Sequence, residues 1–152
     1  MKTVITFVAC LISIHLFACN KNNGMEGSSN NHSDTSSMKL KIIIGSNTFN
    51  ATLYNNATAT AFKTKLPMTI NMTELNGNEK FFDLPNNLPA NAANPGTIKA
   101  GDLMLYGSNT LVLFYKTFST SHNYTRLARI DSPAGFADAL GAGNVTVRFE
   151  LP

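Results

Sequence analysis

From residue 39 onward, short apolar runs alternate with turn-forming residues, and this pattern constrains the fold more than any other feature of the sequence. Runs of this length and spacing are typical of β-strands in a mainly antiparallel domain. Asparagine and glycine tolerate positive φ, so their presence at 45–47, 76–78 and 107–109 predicts three hairpin turns. The predicted strands are Lys39–Ile44, Thr48–Leu53, Met68–Leu75, Lys80–Leu84, Asp102–Tyr106, Leu111–Lys116, Thr125–Ile130 and Val145–Leu151.

One segment after the second strand breaks the β pattern and predicts a helix of about ten residues. Asn55 or Asn56 can cap it through the side-chain carbonyl. Pro67 prevents its continuation, because proline has no backbone N–H. Its apolar face is predicted to consist of Ala59, Phe62 and Leu66.

A second helix is predicted between the last two strands, from Ser132 to Leu140. Ser132 would be its N-cap, with Pro133 at the first helical position. Phe136 and Leu140 are four residues apart and share a face, and Gly141 would end the helix. The 85–100 segment is rich in proline, asparagine and glycine and is predicted to be an ordered surface loop.

The order of these elements predicts a mainly β domain over residues 39–152. Eight mostly antiparallel strands remove their exposed edges best by closing on themselves. We therefore expect a closed eight-stranded β-barrel with two short capping helices, one over each open end.

The first eighteen residues predict export. One lysine precedes an apolar run that is too short to span a membrane comfortably and has the proportions of a signal peptide, assigned to residues 1–18. The run ends in LFAC, which resembles the lipobox of bacterial lipoproteins. The resemblance implies cleavage before Cys19, acylation of Cys19, and an anchor at the bacterial cell envelope, on the periplasmic side or the surface. The alternative is an ordinary signal peptide that is cut nearby.

Residues 19–38 are polar and rich in asparagine, serine and glycine, which predicts a flexible tether. Cys10 would leave with the signal peptide and Cys19 would carry lipid, so the mature domain would hold no free thiol for a disulfide, catalysis or a metal. Basic residues are scattered singly, so no nucleic-acid partner is expected. No cofactor and no metal are expected either, and we expect a monomer.

Four segments, in order, resemble the cyclophilin fold, and more closely the cyclophilin-like domains of small exported bacterial proteins. They are KLKIIIGSNTFNATLYNNATATAFKTKLP, NGNEKFFDLP, GDLMLYGSNTLVLFYKTFST and YTRLARIDSPAGFADALG. The resemblance covers nearly all of residues 39–151. It implies a groove on the outer barrel face, formed by the strands after the first helix and by the GDL and FYK strands, which would bind a peptide or a small molecule.

True cyclophilins isomerise X-Pro bonds, whose rotational barrier is about 18 to 20 kcal/mol. The resemblance implies a catalytic arginine on the strand after the first helix, but Met68–Leu75 contains none, and the chain has no tryptophan for the pocket. We therefore expect ligand binding without efficient catalysis. Two other hypotheses stay open: a divergent peptidyl-prolyl isomerase that uses Arg126 or a backbone donor, and an accessory subunit of an envelope complex.

Strand alternation restricts the groove candidates without fixing which face turns outward. On the third strand either Met68, Ile70 and Met72 or Thr69, Asn71 and Thr73 face outward. On the fourth strand either Phe81 or Phe82 does. The groove candidates are Met72, Glu79, Phe81, Phe114, Tyr115, Phe118, Tyr124 and Arg126.

Two simpler interpretations compete with these assignments. The segment from Leu111 to Arg126 could pack the barrel and place its tyrosines and His122 at the surface. Glu79 resembles a carboxylate of cyclophilin-like relatives, but it could simply pair with a lysine across strands or accept from turn amides. His122 has no carboxylate partners nearby in the sequence, so it predicts no metal site.

Overall fold

Eight β-strands close into a barrel in the computed structural model, which describes residues 38–152. The predicted signal peptide, the predicted lipidation site Cys19 and almost all of the predicted tether lie outside the described residues. The strands are β1 Lys39–Ile44, β2 Asn47–Leu53, β3 Met68–Leu75, β4 Glu79–Asp83, β5 Thr97–Ile98, β6 Asp102–Tyr106, β7 Thr110–Phe114, β8 Phe118–Ser119, β9 Thr125–Ile130 and β10 Val145–Glu150; the helices are α1 Ala57–Lys63 and α2 Phe136–Leu140.

The barrel strands follow the spatial order β1-β10-β3-β4-β7-β6-β9-β2, and each pair is antiparallel. This confirms the predicted mainly β, closed eight-stranded barrel with two short helices. The short strands β5 and β8 were not predicted; they pair with each other as a separate ribbon. No helix within residues 38–152 is long and apolar enough to cross a membrane.

Helix α1 begins where the sequence predicted, and Asn56 is the cap. Its side-chain carbonyl accepts from the backbone N–H of Ala59 at 2.8 Å. The helix has seven residues rather than about ten and ends at Lys63, with Thr64 as its C-cap. Phe62 is fully buried, and its ring meets that of Phe149 edge to face at 5.8 Å between centroids.

The predicted start of α2 at Ser132 is wrong, because the helix begins at Phe136. The preceding residue, Gly135, has φ of 74°, in the left-handed region, and this interrupts any helix that starts earlier. The N–H of Phe136 instead donates to the carbonyl of Pro133 in a turn. Gly141 ends the helix, as predicted, with φ of 62°.

Apolar side chains pack on both sides of the wall formed by β4, β7 and β6. The inward side belongs to the main core, to which Leu103, Leu111 and Leu113 contribute fully buried side chains. A smaller cluster packs on the outward side and contains Ile98, Met104, Val112, Phe114 and Tyr124, with Phe81 and Phe118 against it. This wall is therefore buried on both faces, which places a second apolar surface outside the barrel.

Candidate functional site

A groove of about 640 Å³ lies over the outer cluster, and we call it the outer-face groove. Ends of β3 and β4 form one side of it, and the 118–124 segment forms another. The residues that line it are Leu75, Asn76, Asn78, Glu79, Phe81, Asp83, Tyr106, Thr110, Val112, Phe118, Ser119, Thr120, Ser121, His122 and Tyr124.

Packed aromatic rings support the walls of the outer-face groove. Phe114 is fully buried, and its ring meets those of Phe118 and Tyr124 at centroid distances of 5.8 and 5.5 Å. Tyr124 in turn contacts Tyr106 at 5.5 Å, and Tyr106 contacts His122 at 6.2 Å. Because these rings hold one another, the groove is formed without a ligand.

Exposed apolar side chains concentrate at this groove. Among the described residues, the large hydrophobic side chains that stay exposed are Leu75 (38%), Tyr106 (48%) and Leu151 (42%). Leu75 and Tyr106 both line the outer-face groove. Exposed apolar surface that gathers in one concave place indicates a binding surface.

The carboxylates in the groove lining give it negative charge. Glu79 and Asp83 line it, and its lining contains neither lysine nor arginine. Asp83 accepts a hydrogen bond from the hydroxyl of Thr110 at 2.6 Å. Lys80, between them in the chain, points to the other side of the wall, because successive strand residues face opposite ways.

Glu79 is partly buried, and its carboxylate makes no hydrogen bond or ion pair within residues 38–152. Burial raises the pKa of Glu79, and the nearby charge of Glu74 raises it further. Burial raises the pKa of Tyr124, and the charge of Glu79 raises it further. Beside it, the amide oxygen of Asn78 is buried without a hydrogen-bond partner. The groove therefore presents one carboxylate, that of Glu79, that lacks a donor within residues 38–152.

Glu74 belongs to a different and fully partnered cluster at the end of the barrel. Lys80 is completely buried and donates to the Glu74 carboxylate and to the carbonyls of Gly141 at 2.8 Å and Gly143 at 2.7 Å. The hydroxyl of Tyr115 donates to Glu74 at 2.9 Å. All three ammonium protons thus have acceptors, one in the Glu74 carboxylate on β3 and two in the loop after α2. We call these groups the barrel-end cluster.

The pKa values in the barrel-end cluster reflect this pairing. Burial raises the pKa of Glu74, but the hydrogen bonds from Lys80, Tyr115 and the backbone of Gly77 outweigh it, and the net shift is downward. Burial, followed by the hydrogen bond to Glu74, raises the pKa of Tyr115 to about 12. The lysine partner and the turn amide considered for Glu79 are therefore both partners of Glu74.

The structure brings together four of the eight groove candidates: Glu79, Phe81, Phe118 and Tyr124 all line the outer-face groove. Phe114 lies beneath them, fully buried in the outer cluster. Met72 points into the main core instead. The fully outward set on β3 is therefore that of Thr69, Asn71 and Thr73.

The other two candidates lie outside the groove. Tyr115 is part of the barrel-end cluster. Arg126 lines a neighbouring cleft of about 440 Å³, where its guanidinium lies 6.0 Å from the ring centroid of Tyr54. Tyr124 lines both this cleft and the outer-face groove. We call the second space the Arg126 cleft.

Sequence reasoning missed several groove residues, among them Asp83, Tyr106, Thr110 and Val112. Alternation could have supplied Asp83, since it shares a strand face with Glu79 and Phe81. It could not supply Tyr106, which reaches the groove only through the pairing of β6 with β7. Within residues 38–152, no three His, Cys, Asp or Glu side chains are placed to hold a metal ion.

Comparison with known proteins supports the same fold. A family model described as "Cyclophilin-like family" matches residues 42–150. A solved structure, that of the hypothetical protein AF2241 from Archaeoglobus fulgidus, is similar with a TM-score of 0.50 and 18% identity, over 76% of this chain and 95% of that one. At this identity the likeness shows the fold alone. No curated protein sequence matches the chain.

Proposed function

The chain belongs to the cyclophilin-like family, and from this premise we propose that it is an envelope-anchored domain that binds an extended peptide or a small molecule in the outer-face groove. We further propose that it does so without efficient prolyl isomerisation. The observation that carries the binding proposal is the groove itself, which combines about 640 Å³ of space, exposed apolar side chains and an unpartnered carboxylate.

The size and composition of the groove favour a ligand over a purely structural role. A space of this volume falls in the range of small-molecule and peptide sites. Leaving Leu75 and Tyr106 in water, and Glu79 partly buried without a partner, is unfavourable for the isolated domain. A bound ligand that covers these groups would remove both costs.

The arrangement of arginines supports weak or absent isomerisation. Rotation about an X-Pro bond is accelerated by a hydrogen bond to the prolyl nitrogen, which loses its conjugation in the transition state. The outward positions of β3 hold Thr69, Asn71 and Thr73, and no arginine lines the outer-face groove. Arg126 stacks over Tyr54 in the neighbouring cleft instead.

A prolyl isomerase assay on the full-length chain in detergent tests this part of the proposal. We expect no acceleration beyond the uncatalysed rate for a proline-containing tetrapeptide, with a true cyclophilin as the positive control. Turnover at cyclophilin-like rates that is lost in Arg126→Ala would establish the divergent isomerase in place of the binding domain.

The envelope anchor rests on the sequence LFAC that ends at Cys19. We expect the chain expressed in a bacterium to fractionate with membranes and to incorporate labelled fatty acid. Cys19→Ala should abolish the incorporation and release the protein from the membrane fraction. Incorporation that persists in Cys19→Ala would contradict the anchor.

A further inference from the structure

We infer that the outer-face groove selects ligands that carry a positively charged amino or guanidino group, and that Glu79 is the residue that binds this group. The inference deepens the proposed function and rests on it. A lysine or arginine side chain of an extended peptide is the ligand of this class that fits best, because aromatic rings and an exposed leucine line the groove beside the carboxylates.

The balance of charges in the groove favours a cationic ligand. The chain as a whole carries a formal net charge of +3, yet the lining of the groove holds two carboxylates and no lysine or arginine. An anionic ligand would be repelled by both carboxylates, whereas a cationic one would be attracted. The acidity is therefore a local property of the groove.

The hydrogen-bonding state of the acidic groups also favours a cationic ligand. The Glu79 carboxylate has no donor within residues 38–152, and the buried amide oxygen of Asn78 lacks one as well. Asp83 is partly satisfied by Thr110. A ligand with a cationic N–H donor would satisfy the Glu79 carboxylate, and this charge-assisted hydrogen bond is the strongest available contact.

The aromatic rings of the groove lie beside the carboxylates, where they can contact a cation. Glu79, Phe81 and Asp83 are alternate residues of β4, so they project from one face at intervals of roughly 7 Å, with the ring between the two carboxylates. Tyr106 and Tyr124 stand on the same groove, 5.5 Å apart. Ring faces attract ammonium and guanidinium groups. The methylene stem of such a side chain would meet the exposed apolar surface of Leu75.

The test uses two blocked five-residue peptides, one with lysine and one with neutral norleucine at the centre of four alanines. Their binding to the full-length chain in detergent is measured by calorimetry. We expect the lysine peptide to bind about tenfold more tightly, because it alone makes a charge-assisted hydrogen bond. In Glu79→Gln this preference should disappear. Near-UV circular dichroism verifies that the variant is folded.

Asp138→Asn is the matched control, since it removes the same charge from an exposed position on α2 outside the groove. It should leave the preference unchanged. Equal affinity for the two peptides would overturn the cation selectivity and leave groove binding standing. A preference that survives Glu79→Gln would overturn the role of Glu79. Failure of both peptides to bind at millimolar concentration would overturn the inference together with the proposed function.

Discussion

Glu74 and Glu79 lie on the same hairpin, at the end of β3 and the start of β4, yet their environments are opposite. Glu74 accepts hydrogen bonds from Lys80, Tyr115 and the turn amide of Gly77. Glu79 faces the outer-face groove and has no partner within residues 38–152. One side of this wall pairs its charged groups, while the other leaves a carboxylate unpaired, and we propose that this carboxylate binds a ligand.

The physical origin of the difference is the pleat of β4. Lys80 follows Glu79 in the chain, so its side chain emerges on the opposite face and cannot neutralise it. Glu74 lies opposite Lys80 in the β3–β4 register and receives its ammonium instead. A strand that alternates acid, base, aromatic, aromatic, acid thus separates its charges across the barrel wall.

The largest expected effect is on the barrel-end cluster. Lys80→Met keeps most of the side-chain volume but removes the ammonium that donates to Glu74 and to two carbonyl groups. Removing one partner of a buried ion pair costs about 3 to 5 kcal/mol in the free energy of unfolding, measured by denaturant titration. Lys116→Met, at an exposed position, should change it by less than about 0.5 kcal/mol. Similar losses of unfolding free energy in Lys80→Met and Lys116→Met would contradict a stabilising role for the buried Lys80 ammonium.

The second prediction concerns the two faces of β3. Met72 is fully buried in the main core, so Met72→Ala should lower the free energy of unfolding by about 2 to 4 kcal/mol. Leu75 is on the outward face, so Leu75→Ala should lower the free energy of unfolding by less than about 1 kcal/mol. A larger loss at Leu75 than at Met72 would mean that the strand faces the other way.

A smaller effect is expected from single hydroxyl groups. Tyr115→Phe removes one hydrogen bond to the Glu74 carboxylate and should cost about 1 to 2 kcal/mol of stability. Tyr106→Phe is the control, because its hydroxyl makes no hydrogen bond within residues 38–152. Thermal unfolding of the two variants in parallel measures the difference. Equal midpoints would indicate that the Tyr115 hydroxyl contributes nothing.

The smallest expected effect is the pH dependence of stability. The folded pKa of Glu74 is lowered, so its contribution is present above its unfolded value near 4.5 and is lost as pH falls through the folded pKa. The folded pKa of Glu79 is raised, so its contribution is present below about 4.5 and is lost as pH rises through the folded pKa.

Between about pH 3 and pH 7, stability relative to the unaltered chain should therefore rise for Glu79→Gln and fall for Glu74→Gln. Urea unfolding of the three proteins at both pH values gives these differences. Slopes of the same sign for the two variants would contradict the opposite environments of the two carboxylates.

The fold could be predicted from the sequence because its signals are local. The turn residues at 45–47, 76–78 and 107–109 fix the hairpins, and Asn56 caps α1 through a contact with Ala59, three residues away. The start of α2 was mispredicted because Ser132 and Pro133 form a plausible helix entrance, whereas the chain turns at Gly135. A left-handed glycine is not distinguishable from an ordinary one in sequence.

The site was less predictable, because it depends on which strand face turns outward. On β7, Leu111 and Leu113 point into the barrel and Val112 and Phe114 point out, yet all four are apolar and buried. The outer cluster therefore removes the alternation that normally identifies the exposed face. On β3 the residues do alternate, but alternation alone does not say which face turns outward, and Met72 was therefore placed among the groove candidates.

We expect ligands to bind on the outward face of β4 and not in the Arg126 cleft. Amide chemical shifts of the isotopically labelled full-length chain in detergent, titrated with the lysine peptide, test it most directly. We expect shifts concentrated at residues 79–83 and 118–124, the segments that contribute lining residues to the outer-face groove. Shifts concentrated at residues 54–58 and 89–95, around the Arg126 cleft, would contradict it.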